Sequence, residues 1–228
     1  MGQNVTLTSA NGFELDAYRA DPEGTPKGAV VIIQEIFGVN SHIREVCDGY
    51  AADGYVAIAP ALFDRVGKGM ELGYDPASQE TGKSTRGQLN WDDSLADTQA
   101  AAEAVRNSGK VAVIGYCFGG SIAWLAATRG DFDAAVSYYG GNAADFADEK
   151  PKCPIICHIG TEDRGIGSEK VEKIKSARPE VPVYLYQGAG HGFNCDQRGS
   201  FHEEAAKTAR QRTLDFLAEH IASETVSA

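Results

Sequence analysis

A lone thiol, Cys117, sits between Gly115 and Gly119, after the β-branched run from Val111 to Ile114 and ahead of Gly120 and an Ala-rich helical run. A strand, a tight turn and a helix, with small residues two positions either side of a nucleophile, form the pattern of a nucleophile elbow, here with cysteine where serine is usual. The small flanking residues let strand and helix approach closely, so the nucleophile can occupy a strained turn and project above a sheet. There the Phe118 amide and the helix N-terminus can stabilise an oxyanion, and the same N-terminus favours thiolate over thiol.

A glycine-flanked cysteine alone says little, and the downstream residues decide. Residues 155–160 read as a buried strand that runs into Thr161, Glu162 and Asp163, and residues 183–187 read as another that runs into Gly190, His191, Gly192 and Phe193. The order Cys117, Asp163, His191, each just after an apolar strand, is the nucleophile, acid, histidine order of α/β-hydrolases. In that arrangement His191 takes the thiol proton and Asp163 holds the imidazole in the right tautomer, with Glu162 as the competing acid. Glu35 ends a further apolar run, 29–33, and has two readings of equal weight. It is either a proton acceptor beside the thiol or a loop carboxylate capping the helix that starts near Ser41.

These residues need a scaffold that brings strand ends together. Residues 5–8 and 13–18 alternate around Asn11-Gly12, which predicts an antiparallel hairpin. Apolar strands are then expected at 29–33, 55–59, 111–114, 134–139, 155–160 and 183–187. Helices are expected from a cap at Ser41 to about Asp53, over 92–106, after the elbow, over 168–177 and from about 200 to 222. Residues 63–90 are polar and Gly-rich without a clear period, and they read as a long loop of the kind that covers or lines a site. Strands and helices alternate without repeat or linker, which predicts a single domain over residues 1–228 with a doubly wound, mostly parallel sheet.

At 228 residues and 43% hydrophobic the chain can bury a sizeable core, and its net charge of −11, from 32 acidic against 21 basic residues, argues against nucleic acid as a partner. No run approaches the roughly 20 apolar residues of a membrane span and the N-terminus carries no signal-peptide pattern, so a cytoplasmic protein is expected. Five cysteines are too few and too scattered for a disulfide framework. Cys153 and Cys157 read as buried thiols sharing a strand face, His158 as a packed core histidine, and His42, His202 and His220 as solvated. No metal-ligand cluster and no cofactor are expected, and the chain reads as a monomer or weak homo-oligomer.

Five segments together carry a more specific likeness: Gln34 to Asn40, Gly115 to Gly120, Ser137 to Gly140, Gly160 to Asp163 and Gly190 to Phe193. They resemble the dienelactone hydrolase family, the carboxymethylenebutenolidases, over nearly the whole chain. The resemblance implies the α/β-hydrolase fold and hydrolysis of a small lactone or activated ester through a cysteinyl thioester. It implies that Glu35 contacts the thiol and helps generate thiolate when substrate binds, and that Ile36 and Phe118 supply the oxyanion-hole amides. Family members that act on dienelactone hold its carboxylate with two arginines. Arg86 matches the first only loosely, Cys195 stands where the second belongs, and Arg198 is the remaining candidate from a different position. Poor preference for anionic lactones over neutral esters is therefore expected, with Trp91 a possible pocket wall.

Two other readings compete. Glutamine amidotransferases also carry cysteine on an elbow, but their histidine is followed closely by glutamate, whereas Gly192 and Phe193 follow His191. A non-catalytic thiol switch would need Cys117 and a resolving thiol such as Cys195, but no ordered acid and histidine.

Overall fold

The computed structural model describes residues 2–222. The chain opens with β1 (Gln3–Thr8) and β2 (Glu14–Ala20), antiparallel across a turn in which Gly12 takes a φ of 82°. β3 (Ala29–Ile33), β4 (Val56–Pro60), β5 (Val111–Tyr116), β6 (Ala134–Tyr138), β7 (Ile155–Gly160) and β8 (Val183–Tyr186) complete one eight-stranded sheet in the order β1-β2-β4-β3-β5-β6-β7-β8. All pairings from β4 to β8 are parallel, and β2 runs antiparallel to β4. The near-continuous Val, Ile and Ala of β3 to β7 follow from burial on both faces. Among the described residues no helix is long and apolar enough to cross a membrane.

Helices cover both faces. α1 (Ser41–Ala52) and α6 (Glu203–His220) pack on one, with Ile43, Cys47, Tyr50, Ala209 and Leu217 meeting Val30, Ile32, Ala112 and Ile114. α3 (Trp91–Val105) and α4 (Phe118–Arg129) pack on the other, with Ala101, Val105, Ile122 and Trp124 meeting Val31, Ile33 and Val113. α4 is buried along its whole length save Arg129, as an all-round apolar helix must be. From β3 the chain winds outward to β4 and then returns across β3 to β5. The direction of winding reverses between β3 and β5, the place where open α/β sheets leave a crevice at their carboxyl ends.

Residues 63–90 differ from expectation. They contain α2 (Pro76–Gly87), started by Asp75, whose side chain accepts from the amides of Ala77 and Ser78, with Pro76 at the first helical position. Its sequence is polar on every side and only Gly82 and Thr85 are buried, so no apolar period marks it. A Cβ on Gly82 would lie 2.0 Å from the Ile36 carbonyl oxygen, which shows how closely α2 crosses the segment after β3. α5 (Ser168–Ala177) starts where expected. α1 is capped by Asn40 rather than Ser41, and Cys153 precedes β7 instead of sharing its face with Cys157. His42 is buried, contrary to the solvated reading.

His158 lies in β7 as a core residue, 0% exposed, with Nδ1 2.8 Å from the Tyr186 hydroxyl and Nε2 3.1 Å from Thr213 Oγ1. Burial, with the charge of Arg212 adding to it, lowers its pKa to about 3. In the unfolded chain the imidazole titrates near 6.5, so above that pH it is neutral in both states and has no effect on stability. Below 6.5 only the unfolded chain gains the proton, and each further pH unit should cost about 1.4 kcal/mol from this group until about pH 3. Urea unfolding between pH 7 and 5 should show this slope in the wild type and its absence in His158→Asn. An equal slope in both would place the titration elsewhere.

Candidate active site

Four strand ends converge on the crevice. Cys117 follows β5 and adopts φ 56° and ψ −113°, a conformation that costs a non-glycine residue on the order of 1–3 kcal/mol. The Cys117 amide donates to the Tyr138 carbonyl at 3.0 Å, and the Gly119 amide donates to the Gln34 carbonyl at 3.1 Å, which ties the elbow to the ends of β6 and β3. Phe118 is the first residue of α4, so its N–H belongs to the set that has no partner within the helix. Ile36 lies in the segment that the Gly119 to Gln34 bond holds against the elbow.

Asp163, after β7, is buried and oriented by two amides, since its Oδ1 accepts from Gly165 at 2.8 Å and from Ile166 at 3.1 Å. Its Oδ2 lies 2.7 Å from Nδ1 of His191, which follows β8. The imidazole also lies close enough to the Cys117 sulfur for the two to interact electrostatically. Burial pulls the His191 pKa down, but the Cys117 sulfur when charged and the bond to Asp163 outweigh it and raise it to about 10. A charged sulfur here therefore has an imidazolium beside it. Glu162 makes no such contact with the imidazole, and Asp163 is the acid that does.

Glu35, after β3, is 1% exposed, and its Oε1 lies 2.8 Å from Nη1 of Arg198. Its Oε2 is buried with no hydrogen-bond partner. The helix-capping role falls to Asn40, whose side chain accepts from Ile43, so Glu35 is not the cap of α1. The Arg198 guanidinium lies over the rings of Phe37 and Tyr74, at 5.4 and 5.9 Å. It also lies so close to Gly192, φ 78°, that a Cβ there would be 2.3 Å from Nη1.

The dienelactone hydrolase family model matches residues 15–221. The carboxymethylenebutenolidase of Pseudomonas putida is 32% identical over 226 residues, covering 95% of this chain and 96% of its own. A Synechocystis sp. protein assigned the same activity is 38% identical over 228 residues, covering 91% and 92%. This chain belongs to the dienelactone hydrolase family. A crystal structure of a Klebsiella pneumoniae protein assigned to the same family superposes with a TM-score of 0.82 at 31% identity, over 96% of this chain and 100% of the other. A dienelactone hydrolase-like phosphotriesterase from metagenomic libraries shares the fold, with a TM-score of 0.78 at 22% identity over 97% and 99% of the two chains. As expected from the sequence, the protein is a hydrolase of carboxylic ester or lactone bonds.

Within this family member the arginine question reads differently than the sequence suggested. Cys195 is 0% exposed and interacts with Tyr74 and Glu35, so it does not line the open crevice. The site is nevertheless not short of guanidinium, because Arg198 arrives at Glu35 from three residues further on. Arg86, near the end of α2, stacks over Trp91 and Phe118 at 4.1 and 4.4 Å and donates to the Leu89 carbonyl. Burial lowers its pKa, and the nearby Cys117 sulfur opposes that. Trp91 forms a wall with Phe118 and Phe146. The signal available in the sequence was the small residue at Gly192, which leaves room for a large neighbour.

The Glu35 and Arg198 pair can be tested as a pair. Removing one partner of a buried ion pair leaves an uncompensated charge and costs roughly 3 kcal/mol, whereas neutralising both costs far less. Arg198→Met should lower the urea-unfolding free energy by about that much, and adding Glu35→Gln should recover most of it. Additive losses in the double variant would mean that the two groups do not interact.

Proposed function

We propose that the protein hydrolyses a small lactone or activated ester bearing a carboxylate, through a thioester on Cys117, with His191 and Asp163 completing the catalytic set. The observation that carries the anionic part is the buried Glu35 to Arg198 ion pair with one glutamate oxygen left unpartnered. A substrate carboxylate that takes over the guanidinium of Arg198 leaves Glu35 as an unpaired buried charge. A proton relieves it, and the Cys117 thiol is the donor that the family resemblance points to. Thiolate thus forms when substrate is bound, and the nucleophile is protected from chance oxidation before then.

The thiolate attacks the carbonyl carbon, and the π electrons move to the oxygen, where the amides of Ile36 and Phe118 are the candidate donors. Beside the charged sulfur His191 holds a proton drawn from solvent, consistent with its raised pKa of about 10, and delivers it to the leaving oxygen as the C–O bond breaks. Water then attacks the thioester, His191 takes its proton and returns it to solvent, and the C–S bond breaks. The sulfur recovers its proton from Glu35 and the acid product departs. In a lactone the leaving oxygen stays tethered to the acyl group, so both product ends leave as one molecule. Arg86 and Trp91 serve as a second anchor and a wall for the substrate.

The thiol-switch reading is weaker because its resolving candidate, Cys195, is fully buried against Tyr74. The amidotransferase reading is weaker because the acid bound to His191 is Asp163 rather than a glutamate close after it.

Two outcomes are expected. With an activated ester, a burst of product should precede turnover, and quenched mass spectrometry should find the acyl adduct on the Cys117 peptide. Full activity in Cys117→Ala would sink the proposal. With an anionic lactone against its methyl ester, kcat/KM should favour the anion by about one to two decades, the worth of one guanidinium contact of ~1.5 to 3 kcal/mol. Arg198→Met should remove most of this preference, and Glu35→Gln should slow acylation of the anion. A wild type indifferent to the carboxylate would restore the neutral-ester expectation drawn from Cys195.

A further inference from the structure

Where the loop after β8 meets the N-terminal turn of α1, three donors that the chemistry above does not use come together. One ring nitrogen of His42, Sγ of Cys195 and a carboxylate oxygen of Asp196 lie within 4.8 Å of one another. His42 is 4% exposed and Cys195 0%, whereas the Asp196 side chain is 60% exposed and open to solvent. His42 Nδ1 lies 3.3 Å from Asp196 Oδ1, while its Nε2 is buried and has no hydrogen-bond partner. A cavity of about 240 Å³ lined by His42, Glu45, Asn194 and Asp196 opens beside them.

We propose that His42, Cys195 and Asp196 bind a thiophilic divalent metal of the zinc class. A thiolate, an imidazole and a carboxylate are a donor set for a borderline-soft ion such as Zn²⁺, and not for Mg²⁺ or Ca²⁺. Tetrahedral ligands at about 2.0 Å from a metal are separated by roughly 3.3 Å, the spacing that His42 and Asp196 already have. Cys195, already within 4.8 Å of both, completes the face when its thiol turns from Tyr74 toward them, and the cavity leaves room for a fourth ligand, either water or the Glu45 carboxylate.

The frame is held before any ion arrives. Ser41 Oγ donates to Gln197 Oε1 at 2.9 Å and Gln197 Nε2 donates to Glu45 Oε2 at 3.1 Å, so loop and helix are joined on both sides of the cluster. The carboxylates of Glu45 and Asp196 favour a cation, and the nearest guanidinium in the cavity, Arg210, is already paired with Asp53. On binding, the Cys195 S–H bond is replaced by a sulfur–metal bond and the proton passes to the buffer. The metal would brace the loop that ends in Arg198, the partner of Glu35.

The test uses the full chain carrying Cys117→Ala, so that the crevice thiol cannot bind the probe. Titration with Co²⁺ should produce a thiolate-to-cobalt absorption band that saturates at one ion per chain and is displaced by Zn²⁺. Adding Cys195→Ser should abolish the band. Asp196→Asn alters an exposed side chain, and with folding checked by circular dichroism it should weaken Zn²⁺ binding by at least about tenfold. No band, a band unchanged by Cys195→Ser, or equal affinity in Asp196→Asn would each overturn the site. None of these readouts depends on hydrolytic activity.

Discussion

The site depends on a backbone approach closer than any side chain allows. Cys117 can hold its strained conformation only because Gly115 and Gly119 lie against each other, such that a Cβ on Gly115 would sit 1.7 Å from the Gly119 carbonyl oxygen. A Cβ on Gly119 would in turn sit 2.4 Å from the Ile33 carbonyl, and one on Gly120 would sit 2.5 Å from that of Tyr138. Three adjacent strand ends, β3, β5 and β6, therefore meet the first turn of α4 backbone to backbone. The strain of one to a few kcal/mol is offset by the burial of α4, whose apolar surface is in contact on all sides. If that helix were loosened, the thiol would lose its aim as well as its amides.

The second constraint is electrostatic and follows from the first. Bringing β3 so near the elbow carries Glu35 into the protein, where it is more deeply buried than Cys117. A carboxylate that buried needs a partner. Arg198 meets only half of the requirement, because one oxygen of Glu35 remains without a hydrogen bond. Glu35 is thus a buried charge that its neighbours satisfy only in part. The Arg198 guanidinium is shared between the faces of Phe37 and Tyr74 and the carboxylate of Glu35.

Most of this was legible where the physics is local. Apolar β-branched runs bounded by glycine gave β3, β5 and β7, and Asn11-Gly12 gave the opening hairpin. The ordered Cys117, Asp163 and His191 follow β5, β7 and β8, whose carboxyl ends a doubly wound sheet gathers along one edge. α2 escaped notice because its stability comes from its cap and from the fit of Gly82 against Ile36, neither of which leaves an apolar period. His42 was misread for a related reason: a polar helical neighbourhood in sequence says nothing about a loop that returns from residue 195 to cover it.

The arginine shows most clearly what offset counting misses. An extended arginine side chain reaches about as far as two residues of extended backbone, so the same charge can reach one point from several positions in a loop. Here the loop is pinned at Phe193, packed among Tyr138, Tyr139 and Tyr186, and again where His202 donates its amide to the Phe193 carbonyl at 3.0 Å. Between those pins the chain turns back on itself, with the Cys195 amide bonded to Gly192 and the Arg198 amide to Cys195. That turn buries the side chain at 195 and swings the one at 198 over Gly192 toward Glu35. The requirement at Glu35 is for a positive charge at a place rather than for an arginine at a position. Which residue meets it is decided by the path of the loop.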